Sequence, residues 1–209
     1  MGDLFETLSA GGVMIYPLLL LAVIAVVVVL EKGFVFLKRT NLSPGLLTLI
    51  ETYGFAWKEL GRELGALDGR SYFGGFFRVI LDNHTRPAWW VESRAADEAS
   101  LIEKALGRWL WVLETIVTAA PLMGLLGTIA GMIRAFKLFG NEGLVDPSGV
   151  TGGVAEALIA TALGLLIALI ALFAFNYFSY RQALVMDEME RLGTRLLDRI
   201  RLDESGDKP

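Results

Sequence analysis

Apolar residues are concentrated in three long runs that are separated by polar segments. The runs are Pro17–Leu30, which continues to Leu37 after Glu31 and Lys32, then Thr115–Ile133, and then Ala157–Phe175. A membrane-crossing helix needs about 20 apolar residues, and hydrocarbon admits only helices or closed barrels. Because the runs lack the alternation of strands, the pattern predicts an all-α membrane protein with three transmembrane helices.

The helical pattern extends beyond the second and third runs. Apolar positions at alternating four-three spacing, as in a coiled-coil seam, are Ala95, Ala99, Ile102, Leu106, Trp109, Leu113, Ile116 and Ala120. The tail has a similar seam of Val185, Met189, Leu192, Leu196 and Ile200. The sequence therefore predicts a second helix that is continuous over 88–139 and a third over 154–202, both longer than a bilayer is thick.

These elements divide the chain into six predicted parts. The N-terminal segment and first span take residues 1–37, a helical cytoplasmic domain takes 38–108, and the second span takes 109–137. A short outer loop at 138–150 leads to the third span at 151–180 and to a C-terminal helix and tail at 181–209. Inside the cytoplasmic domain, Ser43 followed by Pro44 is typical of a helix start.

Basic residues are divided unequally among the connecting segments. The segment before Pro17 and the loop 138–150 contain no Lys or Arg, whereas 38–108 and 181–209 contain most of the 19 basic residues. Positive charge favours the cytoplasmic side of a membrane. The N-terminus is therefore predicted outside and the C-terminus inside, with Arg134 and Lys137, at the outer end of the second span, as the exception.

Composition supports a membrane protein and argues against an enzyme. Hydrophobic residues make up 54% of the chain, whereas about 45–50% is usual for soluble domains. The sequence contains no Cys, so neither a disulfide framework nor a thiolate metal site is expected. No nucleophile motif, metal-ligand cluster or phosphate-binding loop is visible. We therefore expect no enzyme activity, no cofactor, no metal and no nucleic-acid partner.

Small residues occupy one face of each of the last two spans. They are Ala120, Gly124, Gly127, Thr128, Gly131 and Ala135 in the second, and Gly153, Ala157, Thr161, Gly164, Ala168 and Ala171 in the third. Such faces usually pack closely on another helix, although they could instead line a narrow path. Thr128 and Thr161 fall at nearly the same depth in an antiparallel pair. Each could bond a nearby carbonyl or serve a function.

Two further residues in these spans have alternative interpretations. Glu156 lies beside the small face of the third span, at about the depth of Arg134 in an antiparallel pair. A structural Arg134–Glu156 ion pair and a role of Glu156 in proton entry are both consistent with this position. Pro121 removes a backbone donor and predicts a membrane kink, with a hinge as the alternative.

The segments "APLMGLLGT" and "GVAEALIATALGL" together resemble the paired signature of the ExbB/TolQ/MotA proton-channel family, and its ExbB branch in the TonB system most closely. Ala130 stands where many relatives have an aromatic residue. The resemblance implies that Thr128 and Thr161 face a pore, that the glycines of both small faces pack or line it, and that Glu156 is the acidic residue near its periplasmic mouth.

The same resemblance implies a molecular machine with several partners. Such proteins sit in the inner membrane of Gram-negative bacteria, among its lipids, and form a homopentamer around the single-span helices of a dimeric ExbD- or TolR-like partner. The partner's intramembrane Asp takes up and releases protons. The resulting motion passes to a TonB- or TolA-like protein. The chain is therefore predicted to be an ExbB-like motor subunit.

Other functions remain open at the level of sequence. A TolQ-like subunit of the Tol envelope system is the first alternative, and both protons and sodium ions fit the residues. A flagellar stator subunit usually has four spans, and a transporter usually shows broken helices or internal repeats. A scaffold whose small faces only pack would need no partner and would conduct nothing.

Overall fold

In a computed structural model of the chain, the described residues are 12–52, 55–67, 69–137 and 147–206. They form helices and contain no strand. The helices are α1 (Ile15–Arg39), α2 (Pro44–Glu51), α3 (Trp57–Ala66), α4 (Tyr72–Asp82), α5 (Ala88–Gly107), α6 (Leu110–Lys137) and α7 (Pro147–Ser205). The start of the predicted N-terminal segment, up to residue 11, and the predicted outer loop over 138–146 lie outside the described residues.

Three helical stretches are long and apolar enough to cross a membrane, namely α1, the stretch formed by α5 and α6, and α7. The predicted all-α architecture with three spans is therefore confirmed. The third helix is unbroken over its 59 residues from Pro147 to Ser205, which confirms the prediction of a continuous helix over 154–202.

The prediction of one continuous second helix is wrong. α5 ends at Gly107 and α6 begins at Leu110, with Arg108 and Trp109 between them. Trp109 has a φ of 68°, in the left-handed region that bulky residues rarely adopt. The periodicity suggested a buried seam position for Trp109, but its side chain is 39% exposed. The other seam residues are buried or half-buried.

The described residues fall into two compact units. The first combines the chain up to Leu30 with Trp109–Tyr177. Its interior contains Leu18 and Ala25 of α1, Ile116 of α6 and Ala160 of α7, all buried. Large apolar side chains such as Leu122, Leu126, Leu158, Leu166 and Phe173 are exposed on its outside, as expected for helices that face lipid.

The second unit combines Glu31–Arg108 with the chain from Phe178 onward. Short amphipathic helices supply its core: Leu46, Ile50, Leu60, Leu64, Phe77 and Ile80 are fully buried. Ser71 caps α4 by accepting a hydrogen bond from the Gly74 N–H at 3.2 Å. The predicted tail seam is confirmed, because Val185, Met189, Leu192, Leu196 and Ile200 are all buried.

Candidate functional site

The small faces of the second and third spans pack directly against each other within one chain. A Cβ atom on Gly164 would lie 2.5 Å from the carbonyl oxygen of Ala120, and one on Gly124 would lie 3.0 Å from the Cα of Thr161. Cβ atoms do not approach backbone as closely as 2.5 Å, so glycine is required at position 164, and a Cβ at position 124 would force the two helices slightly apart. This contact fixes how near the two helix axes come.

The same contact continues along both helices in antiparallel register. Cβ atoms added at Gly127 and Gly131 would lie 2.5 Å and 2.8 Å from the Cβ atoms of Ala160 and Ala157. A Cβ on Gly153 would lie 3.0 Å from the Cβ of Ala135. Successive contacts therefore involve later residues of α6 and earlier residues of α7, as in an antiparallel pair. All five glycines singled out in the sequence lie at this interface.

The Thr161 hydroxyl bridges the two helices. It donates a hydrogen bond to the carbonyl oxygen of Gly124 at 3.0 Å, and the bond is partly buried. This partner lies on the facing helix, rather than one turn back along α7 as in the simplest use of a membrane threonine. The hydroxyl proton is engaged in this bond, while the lone pairs of the oxygen can still accept a proton donor.

The Thr128 hydroxyl has a local partner instead. It donates to the carbonyl oxygen of Leu125, on its own helix, at 2.7 Å. Because Gly127 meets Ala160, the neighbouring residues Thr128 and Thr161 lie at nearly the same level of the pair. The two hydroxyls therefore share a depth but differ in their hydrogen bonding.

Arg134 and Glu156 meet at the other end of this helix pair. The Nη2 of Arg134 donates to Oε1 of Glu156 in a direct ion pair. The side chain of Glu156 is 17% exposed and that of Arg134 is 46% exposed. The ion pair expected from the matching depths of Arg134 and Glu156 is therefore present, and it joins α6 to α7.

Gly12 is a contact of this ion pair that sequence reasoning missed. A Cβ at this position would overlap Oε1 of Glu156 and would lie 2.6 Å from Nη2 of Arg134. Gly12 also has a φ of 68°, which favours glycine. The backbone just before α1 therefore covers the ion pair closely. The signal in the sequence was the glycine pair Gly11-Gly12 immediately before the first apolar run.

Pro121 lies inside α6, which runs from Leu110 to Lys137 without a break. Thr115, on the same helix, is exposed and donates to the Trp111 carbonyl oxygen at 2.8 Å.

Within the described ranges, no group of His, Cys, Asp or Glu residues is arranged to hold a metal ion. The chemistry available at this interface is therefore that of two hydroxyls at one level and a carboxylate with its cation at another.

These features define a multi-pass helical membrane protein whose last two spans form a tight antiparallel pair, with the Thr161 hydroxyl bonded across it and an ion pair joining the two helices. Residues 71–191 match the MotA/TolQ/ExbB proton channel family. The match covers the second and third spans as well as the helices α4 and α5 that precede them. The chain belongs to the MotA/TolQ/ExbB proton channel family.

Several curated proteins are similar to the chain. It is 31% identical over 201 residues to the putative biopolymer transport protein ExbB-like 1 of Synechocystis sp., which covers 92% of this chain and 77% of that protein. It is 31% identical over 176 residues to ExbB-like 3 of the same organism, with 81% of each chain covered. The biopolymer transport protein ExbB of Aquifex aeolicus is 38% identical over 76 residues, covering 36% of this chain and 51% of that protein.

Proposed function

We propose that the chain is an ExbB-like subunit of an inner-membrane motor, which couples the proton motive force to TonB-type transport across the outer membrane. Family membership supports a proton-channel subunit, and the ExbB names of similar proteins favour this function over Tol-type service. The distribution of Lys and Arg supports an orientation with the N-terminus in the periplasm and the C-terminus in the cytoplasm.

The observation that carries the proposal is the pair of level hydroxyls, Thr128 and Thr161, on a helix pair that is otherwise apolar at that depth. Polar groups inside a membrane usually face a protein interior or a water-filled path. The space beside the glycines between the two helices is filled by atoms of the same chain. A proton path therefore has to form on the flank of the helix pair, between copies of the chain and a partner helix.

The partner that fits is a single-span protein of the ExbD type with an Asp inside the membrane. A hydroxyl can both donate and accept a hydrogen bond, so it can solvate a proton beside that Asp. A second carboxylate at the same place would compete for the proton. In this account several copies, five by analogy with the family, surround the partner helices, and the partner's motion is passed to a TonB-like protein.

Glu156 has two roles in this proposal. Its ion pair with Arg134 holds the register of α6 and α7. Its carboxylate also lies toward the predicted periplasmic end of the pair, where protons would enter. An acid inside a membrane span is costly, and such residues commonly mark an ion pathway.

Replacing each hydroxyl by an apolar side chain of the same shape tests the proposal. Thr161→Val and Thr128→Val keep size and branching but remove the hydroxyl. Interhelical hydrogen bonds in membranes are worth only about 0.6 kcal/mol on average, so the assembly should survive both changes. Activity, measured as siderophore-dependent growth, should fall by about tenfold or more, as for loss of a proton-transfer group.

Thr115→Val is the matched control, because the Thr115 hydroxyl, like that of Thr128, donates to a carbonyl of its own helix, but Thr115 lies on the opposite face of the span from the small residues. It should leave growth and oligomer recovery unchanged. Normal growth of both the Thr161 and the Thr128 variants, with intact oligomers, would remove the support for a proton path and would favour a scaffold that only packs.

A further inference from the structure

A buried charge in α1 is not explained by the proposed function. The side chain of Lys32 is fully buried, although it lies in a helix that is apolar enough to span a membrane. Its Nζ donates to the carbonyl oxygen of Leu106 at 2.7 Å. Among the described residues, the nearest carboxylate oxygen to Nζ belongs to Glu31, at 3.9 Å. A buried ammonium group is costly, so this contact calls for a structural reason.

The carbonyl that Lys32 contacts lies at the end of α5. The last four carbonyls of a helix have no partner within it, and Leu106 is the residue before the final Gly107. In an uninterrupted helix, the N–H of Leu110 would donate to this carbonyl. Lys32 takes that place, and its positive charge is favoured at the negative end of the helix dipole.

A second side chain reaches the same helix end from α7. The Nε2 of Gln182 donates to the carbonyl oxygen of Glu103 at 3.3 Å. A Cβ on Gly107 would lie 3.3 Å from this Nε2 atom, so Gln182 rests on the last turn of α5. The end of α5 is therefore bound by polar groups from two other helices, α1 and α7.

The break that follows runs against the apolar periodicity of the sequence. Apolar seam positions continue from Leu106 to Leu113 and Ile116, and no proline occurs between them. Trp109 nevertheless has a φ of 68°, a strained conformation for a large side chain. After the break, the N–H of Val112 donates to the carbonyl of Trp109 at 3.0 Å. Gly107 favours a helix end at this point, and the contacts of Lys32 and Gln182, which are distant in sequence, add to that preference.

We propose that Arg108 and Trp109 form a two-state joint. The joint is interrupted while Lys32 occupies the Leu106 carbonyl, and it becomes helical when that carbonyl is released to the Leu110 N–H. Lys32 and Gln182 are positioning residues that hold the interrupted state. The joint does not depend on the roles of Thr128 and Thr161, so it can be tested separately from proton conduction.

Lys32→Met tests the role of the buried charge, because methionine is similarly long and unbranched but has no hydrogen-bond donor. Hydrogen exchange of the purified full chain should show the amides of Leu110 and Trp111 becoming more protected by about tenfold, because they gain helical hydrogen bonds to the carbonyls of Leu106 and Gly107. Lys38→Met is the control: Lys38 lies on the same helix, is exposed and sits 5.0 Å from the Phe34 ring. Equal exchange of the Leu110 and Trp111 amides in the Lys32 variant and the native chain would overturn the proposal.

Two variants of Trp109 test the joint even where Lys32→Met does not yield folded protein. Trp109→Asn and Trp109→Ala lose the same ring, but Asn tolerates a positive φ and Ala favours helix. In the native background the Asn variant should unfold at the higher temperature. In the Lys32→Met background the order should reverse. The proposal would be overturned if the Ala variant unfolded at the higher temperature in the native background. It would also be overturned if the same variant unfolded at the higher temperature in both backgrounds.

Discussion

At the scale of single residues, the Arg134–Glu156 pair shows how a backbone position can control a distant carboxylate. Gly12 occupies the space next to Oε1 of Glu156. Any side chain there would push the carboxylate away from Arg134 and would also have to adopt a left-handed φ. Glycine at this position therefore leaves the space that the ion pair needs.

We expect Gly12→Ala to destabilise the protein chiefly by breaking this ion pair. Its cost should then be smaller when Glu156 is already replaced by Ala, with a coupling energy of about 0.5–3 kcal/mol between the two positions. Thermal unfolding of the native chain, both single variants and the double variant gives this energy. Gly33→Ala, in α1 with open space around it, is the control. Costs that simply add would show that Gly12 acts independently of the pair.

Sequence reasoning reached some of these residues and not others, for a physical reason. Thr128, Thr161, Arg134 and Glu156 follow from counting depth along two antiparallel helices, which is a local calculation. Gly12 touches the pair only because the chain returns to it before α1, and Lys32 meets Leu106 across a long sequence separation. Contacts of this kind have no periodic signature.

At the scale of elements, the close contact of α6 and α7 depends on glycine at defined positions. We expect Gly164→Ala to destabilise the protein by about 1–3 kcal/mol, because its methyl group would collide with the Ala120 carbonyl. Gly152→Ala on the same helix has open space around it and should be neutral or slightly stabilising, because alanine favours helix. Thermal unfolding compares them, and equal effects would contradict the packing described here.

The two long helices differ in how well the sequence predicted them. α7 is unbroken because its apolar periodicity, its freedom from internal proline and its packing all favour one helix. The second helix has a similar pattern, but Lys32 and Gln182 bind the end of α5 and the chain is interrupted at Arg108 and Trp109. Gly107 and these tertiary contacts together outweigh the apolar periodicity, which could not show the break.

At the scale of the whole molecule, the proposed orientation makes a simple labelling prediction. The chain has no Cys, so single cysteines introduced at exposed sites report their own side of the membrane. Thr151→Cys should react with a membrane-impermeant maleimide applied from the periplasmic side. Ser205→Cys should react only after the inner membrane is permeabilised. The reverse pattern would invert the topology predicted from Lys and Arg.

The central claim is that protons cross the membrane beside Thr128 and Thr161, next to the Asp of a single-span partner. The most direct test is proton flux into proteoliposomes, with the chain reconstituted alone and together with a single-span protein of the ExbD type that has an Asp in its membrane helix. Flux should require both proteins and should fall by about tenfold or more in the Thr128→Val, Thr161→Val double variant with the complex intact. Undiminished flux in that variant, or equal flux without the partner, would contradict the account.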